Sequence, residues 1–216
     1  MLNAREDVVG VLFGCSDPRM EMSNKTLCLG AKLLFMPMPG VDFGDPCGLF
    51  EYWSSHAEPG WATVFAPHTD CHWYQSNDDA VLQALYYVDC FRHYGVPTAC
   101  VMLGNQSPEI LSNHLAGHST EERLKELFKK PGWKMAQDAQ VTALHIGEGF
   151  QSLSWPRALR LTSSFVTDQI ASRLRSVLDT FRDGRVLPVR FSEEVPLLER
   201  EQLKELLLDH KLPVTA

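Results

Sequence analysis

Between Val8 and Leu103 the chain passes four times from a short, nearly continuous apolar run to a segment with helical character, and this alternation restricts the fold more than any other feature. The apolar runs are Val8–Gly14, Lys32–Met36, Trp61–Ala66 and Thr98–Leu103, and the first, β-branched and ending in glycine, reads as a strand buried on both faces of a parallel sheet. The prolines of Pro37-Met38-Pro39-Gly40 are expected to stop the second strand. Between the strands, Arg19–Leu29 has helical potential. Asp45-Pro46 marks a helix start running through Leu49, Phe50 and Trp53 to a break at Pro59-Gly60, and Asn77–Tyr94 carries Val81, Leu82, Leu85 and Val88 at helical spacing before Gly95. Such alternation predicts an α/β fold, a parallel-core sheet flanked by helices with right-handed crossovers. Sites in open sheets of this kind form beyond the carboxyl ends of strands, where the strand order reverses. Placing the first and third strands side by side brings their ends together.

Beyond Asn105 the pattern loosens. Ser119-Thr120-Glu121-Glu122 resembles a capping box opening a helix through Leu124, Leu127 and Phe128 that ends near Pro131-Gly132. Val141–Ile146 is a possible strand. Val166, Ile170, Leu174, Val177, Leu178 and Phe181 make one apolar helical stripe, with Arg173, Arg175 and Arg182 as its solvated edge and Gly184 as its stop. Arg185–Phe191 reads as a strand, and Leu198, Leu203, Leu206 and Leu207 mark a terminal helix. No internal repeat, low-complexity tract or linker is visible, so residues 1–216 are expected to form a single domain with a core at about 8–104 and a C-terminal helical elaboration at about 105–216.

The net charge of -7 offers no electrostatic footprint for nucleic acid or an anionic membrane. No apolar stretch approaches the roughly 18 residues of a membrane span. The segment Met1–Asp7 carries both signs of charge and lacks the apolar core of a secretory signal, so a cytoplasmic location is expected. In that compartment the six cysteines are thiols or metal ligands rather than a disulfide frame. Cys28, Cys47, Cys90 and Cys100 sit among apolar residues and read as small core fillers.

The other two cysteines stand at strand ends, in Cys15-Ser16-Asp17-Pro18-Arg19 and His68-Thr69-Asp70-Cys71. Singly, each has a plain reading: a packed thiol, a histidine satisfied by backbone, an Asp-Pro turn. Jointly, Cys15, His68 and Cys71 offer two thiolates and an imidazole to one cation, three of the four ligands of a zinc site whose remaining place is open to water or substrate. If the chain turns into a helix at His68, its side chain and that of Cys71 share a face. Asp17 is placed to reach the open position, and Arg19 to hold Asp17 in a two-pronged ion pair. Metal-assisted attack on a small electrophile is the reaction class this set suits. The phosphatase cysteine loop, the thioredoxin pair and the zinc deaminase signature do not fit these spacings.

These residues resemble the β-class carbonic anhydrases, whose signature is Cys-x-Asp-x-Arg followed some fifty residues later by His-x-x-Cys. The resemblance covers roughly residues 8 to 104. It implies a parallel-sheet fold, a homodimer or higher homo-oligomer, zinc held by Cys15, His68 and Cys71, an Asp17–Arg19 catalytic pair, and reversible hydration of carbon dioxide to bicarbonate by zinc-hydroxide attack. In some members the aspartate itself binds zinc in a resting form. The chain departs from the pattern at His72, where the family has glycine, and at Met36–Gly40, where the family's Arg-Asn-Ala-Gly keeps only its glycine. The N-terminal arm of the family is nearly absent. A wall of Met36 and Met38 suits carbonyl sulfide or carbon disulfide as alternative substrates, and His72 is a candidate proton carrier. Two alternatives from other classes are a catalytically silent zinc-binding regulatory protein and a metal-free thiol sensor.

Overall fold

The computed structural model describes residues 7–104, 107–133, 135–137, 139–150 and 157–215, and the charged segment 1–6 read above lies outside them. The chain is α/β, with a mostly parallel sheet flanked by helices. Five strands, β1 (Gly10–Cys15), β2 (Leu33–Met38), β3 (Ala62–Ala66), β4 (Thr98–Met102) and β5 (Glu109–His114), lie in the order β2-β1-β3-β4-β5. The first four are parallel and β5 is antiparallel to β4. The order reverses at β1, which has β2 on one side and β3 on the other, so Cys15 and the end of β3 meet at the reversal point.

Both faces of the sheet are buried, as the apolar runs require. Val11, Phe13 and Cys15 of β1 face one cluster with Met36, Phe65 and Cys100, against α2 (Pro46–His56) and α3 (Asn77–His93). Leu12 faces the other with Phe35, Val64 and Val101, under α1 (Glu21–Ala31) and α4 (Ser119–Phe128). Gly14 is small because Phe35 needs its space: a Cβ there would stand 2.6 Å from the ring.

Several elements differ from expectation. β2 does not stop at Pro37 but runs through it to Met38. Among the described residues β2 is the edge of its sheet, so the missing N–H of Pro37 costs no ladder bond. The start of α4 is capped by His118, whose Nδ1 accepts from the Thr120 N–H at 3.2 Å, and Glu121 reaches back to the Gly117 N–H at 3.3 Å. The capping box is therefore shifted one residue toward the N-terminus. Cys28 and Cys100 are core fillers, but Cys47 is exposed in the first turn of α2 and Cys90 is half-buried.

The C-terminal part is more than helical. Four further strands, β6 (Ala143–Gly147), β7 (Ala158–Thr162), β8 (Leu187–Phe191) and β9 (Val214–Thr215), form a second parallel sheet in the order β7-β6-β8-β9. Helices α5 (Asp168–Phe181) and α6 (Leu197–Asp209) complete it. The stripe predicted for α5 is buried and joins the core cluster that contains Phe13 and Cys15, so the two sheets share one core. β5, β7 and β9 carry no pattern that the sequence reading recognised. Among the described residues no helix is long and apolar enough to cross a membrane.

Candidate metal site

Cys15 is the last residue of β1 and is buried. The β1–β2 pairing continues one step beyond it, through the Ser16 N–H to Met38 carbonyl bond at 3.1 Å, while the Asn24 amide holds the Cys15 carbonyl at 2.9 Å. His68 lies just past β3, where the β3–β4 pairing also persists: the Leu103 N–H donates to Pro67 and the Thr69 N–H to Leu103, each at 2.9 Å. The segment after His68 is a turn, not a helix, with Asp70 in the left-handed region at φ 54°. That turn swings Cys71 back toward Cys15, leaving their sulfurs 3.8 Å apart. The donor atoms of Cys15, His68 and Cys71 all lie within 4.8 Å of one another, and among the described residues these three form a buried group that could hold a metal ion.

Arg19 joins the two motif segments. Its guanidinium grips both Asp17 oxygens, Nε at 3.0 and 3.1 Å and Nη2 at 2.5 Å, and Nη2 also donates to the Asp70 carbonyl at 2.7 Å. Asp17 additionally caps the 3-10 turn Pro18–Met20 by accepting from the Arg19 N–H at 2.9 Å. Its Oδ2 then stands 3.6 Å from His68 Nε2, close to the triad but beyond hydrogen-bond length.

The donor set fits a cation on four counts. His68 Nδ1 sits 2.8 Å from the Thr69 carbonyl, so this nitrogen carries the proton and the lone pair is left on Nε2. That Nε2 is buried with no hydrogen-bond partner among the described residues, a cost that a metal would remove. Cys15 Sγ accepts from the N–H groups of Gly40 at 3.1 Å and Asp17 at 3.4 Å, two donors that would support a metal-bound thiolate. Two thiolates and a neutral imidazole bring a divalent cation to net zero charge, which suits a buried place.

Without a cation the two thiols divide one proton. The hydrogen bond from Cys15 brings Cys71 down to about 5, against the opposing effect of burial. Burial, and then Cys71 itself, hold the Cys15 thiol well above its ordinary value. Metal uptake must displace that proton. Zinc added to the metal-free protein at about pH 8 is expected to release about one proton or more per chain, seen with an indicator dye. Uptake without proton release would contradict the assignment of Cys15 as a ligand.

The cavity beside the triad is very small, about 10 Å³, and is lined by Cys15, Ser16, Asp17, Pro39, Gly40, Cys71, His72, Trp73, Leu159 and Val177. Met36 and Met38 do not line it. Both are buried in the core, so the wall expected from them comes instead from Pro39, Gly40 and Trp73. His72 is exposed at the rim with its ring 5.3 Å from that of Phe181, and burial together with Arg19 pushes it below its usual range.

Gly40 has a specific reason to be glycine. Its φ is 65°, and a Cβ would fall 2.4 Å from Trp73 Cδ1. Gly40→Ala is expected to cost about 1–3 kcal/mol of stability, read as a lower urea midpoint, and to weaken metal binding by moving the N–H that faces Cys15. The neighbouring Val41, β-branched yet at φ 59°, shows that this segment is already strained.

Sequence reasoning named the three donors and the Asp17–Arg19 pair, and the fold brings all five together. It missed the Gly40 N–H, Trp73, Leu159 and Val177. It also read Arg173 as a solvated edge. Arg173 instead donates to Asp42 Oδ2 at 2.9 Å and to the Trp73 carbonyl at 2.6 Å, and its guanidinium lies 4.2 Å over the Trp73 ring. The sequence signal was weak: an arginine next to an apolar stripe is more often solvated than latched. Comparison with protein-family models and with curated proteins finds no match to this chain.

Proposed function

We propose that the chain is a zinc-dependent lyase that hydrates carbon dioxide reversibly, giving bicarbonate and a proton. The observation that carries this reading is the Asp17 carboxylate, clamped by Arg19 and held 3.6 Å from the metal-facing nitrogen of His68. Zinc held by Cys15, His68 and Cys71 would supply a water of lowered pKa as nucleophile. Asp17 accepts the hydrogen bond that orients this nucleophile, and Arg19 fixes the carboxylate's direction. Leu159, Val177 and Trp73 place apolar surface beside the site and exclude bulk water. Carbon–oxygen bond formation with hydroxide turns the neutral substrate into bicarbonate, and the proton lost by the water that supplies the hydroxide has an exposed imidazole, His72, at the rim.

The tightness of the same cavity favours a second reading, zinc bound for structure without turnover. Stopped-flow carbon dioxide hydration by the zinc-loaded protein separates the two. Hydration well above buffer supports the lyase. Full zinc occupancy with no hydration above buffer at any pH overturns it, and carbonyl sulfide and carbon disulfide, which present the same electrophilic carbon, are then the next substrates to assay.

A further inference from the structure

The two sheets repeat one another. The first begins β2-β1-β3-β4 and the second is β7-β6-β8-β9, so in chain order each unit builds its first strand in the interior, its second at the edge, and its third and fourth on the far side. In both, a 3-10 turn follows the second strand at once, Pro39–Val41 after β2 and Ser163–Phe165 after β7. A side-chain-capped helix comes next, α2 behind Asp45 and α5 behind Thr167, then the third strand, a further helix and the fourth strand.

The registers align as well. Cys15 pairs with Met38, the last residue of β2, and Gly147 pairs with Thr162, the last residue of β7. Gly147 therefore stands where the first unit has Cys15. Ala66 pairs with Gly14 as Phe191 pairs with Ile146, and two residues further on Glu193 takes the place of His68. The second unit keeps the topology and lacks the ligands.

The units meet through their second strands, where Thr162 Oγ1 donates to the Pro37 carbonyl at 3.1 Å. This contact carries Leu159 of β7 and Val177 of α5 onto the cavity beside Cys15 and Cys71, and Arg173 latches α5 to Asp42 and Trp73.

We infer that β6 to β9 with α5 and α6 are a ligand-free second copy of the core's topology that acts as the built-in wall of the site, with Leu159 and Val177 setting the size of what reaches Cys15 and Cys71. A single chain then completes its own site. This inference rests on the cavity and not on the identity of the reaction.

The test uses the metal-free chain and needs neither zinc nor turnover. Each cysteine is labelled with iodoacetamide or with a bulkier maleimide, and labelling rates are read by peptide mass spectrometry, with exposed Cys47 as the fast reference and buried Cys28 and Cys100 as slow ones. Val177→Ala is expected to speed labelling of Cys71 by about tenfold, more for the bulkier reagent, while Val177→Phe slows it and Cys28 and Cys100 do not change. Arg173→Ala is expected to act in the direction of Val177→Ala. Dilution of the wild type by about a thousandfold leaves the Cys71 rate unchanged, because no second chain closes the cavity. Rates at Cys71 that ignore both Val177 variants, an acceleration shared by Cys28 and Cys100, or a rise on dilution would each overturn the inference.

Discussion

His68→Ala is expected to reduce bound zinc from near one per chain to almost none and to lower the melting temperature of the zinc-loaded protein to that of the metal-free wild type. The donor set contains one imidazole, and among the described residues its Nε2 has no hydrogen-bond partner. Two thiolates 3.8 Å apart cannot alone complete a tetrahedral site. A ligand that binds only the folded state stabilises it by about 4 kcal/mol at a thousandfold excess over Kd, and for a chain of this size that moves the melting temperature by roughly 8–16 °C. Calorimetry with and without a chelator measures the difference. In the variant the chelator should change nothing. A melting temperature in the wild type that is equally indifferent to the chelator would mean that the cluster holds no stabilising metal.

Asp17→Asn should behave in the opposite way, keeping zinc and losing turnover. The side chain is not one of the three donors, so occupancy stays near that of the wild type. An asparagine in this place turns one N–H₂ group either onto the Arg19 guanidinium or toward the triad, where an acceptor is needed. Removing such an orienting partner lowers activity by about 10–100-fold in other metal sites, and the reduction should fall on kcat more than on KM. Arg19→Lys should produce part of the same loss, because an ammonium cannot hold both carboxylate oxygens in one plane. Unchanged hydration in Asp17→Asn would remove Asp17 from the mechanism.

The sequence displayed the first sheet well because each of its four parallel strands is buried on both faces and so reads as a nearly unbroken apolar run. The site was visible for a related reason: its five polar residues stand at strand ends, where a parallel sheet places functional groups. The turn at Asp70 was not visible, since a left-handed aspartate leaves no mark in the pattern of apolar residues. β7 was hidden because Arg160 interrupts its apolar run, although that side chain is buried beside the cavity lined by Ser16 and Glu21. β9 is two residues long and has no periodicity to read. The repeated topology escaped notice because it resides in strand order and register, and the residues that could mark it, Gly147 and Glu193, are those that differ from Cys15 and His68.

Absorption spectroscopy at the zinc edge tests the central claim most directly, because it reports the donor atoms without reference to any reaction. The zinc-loaded protein should show two sulfur neighbours at about 2.3 Å and nitrogen or oxygen neighbours at about 2.0–2.1 Å, with one sulfur lost in Cys15→Ser or in Cys71→Ser. A first shell of oxygen and nitrogen alone, or one that neither cysteine substitution alters, would contradict it.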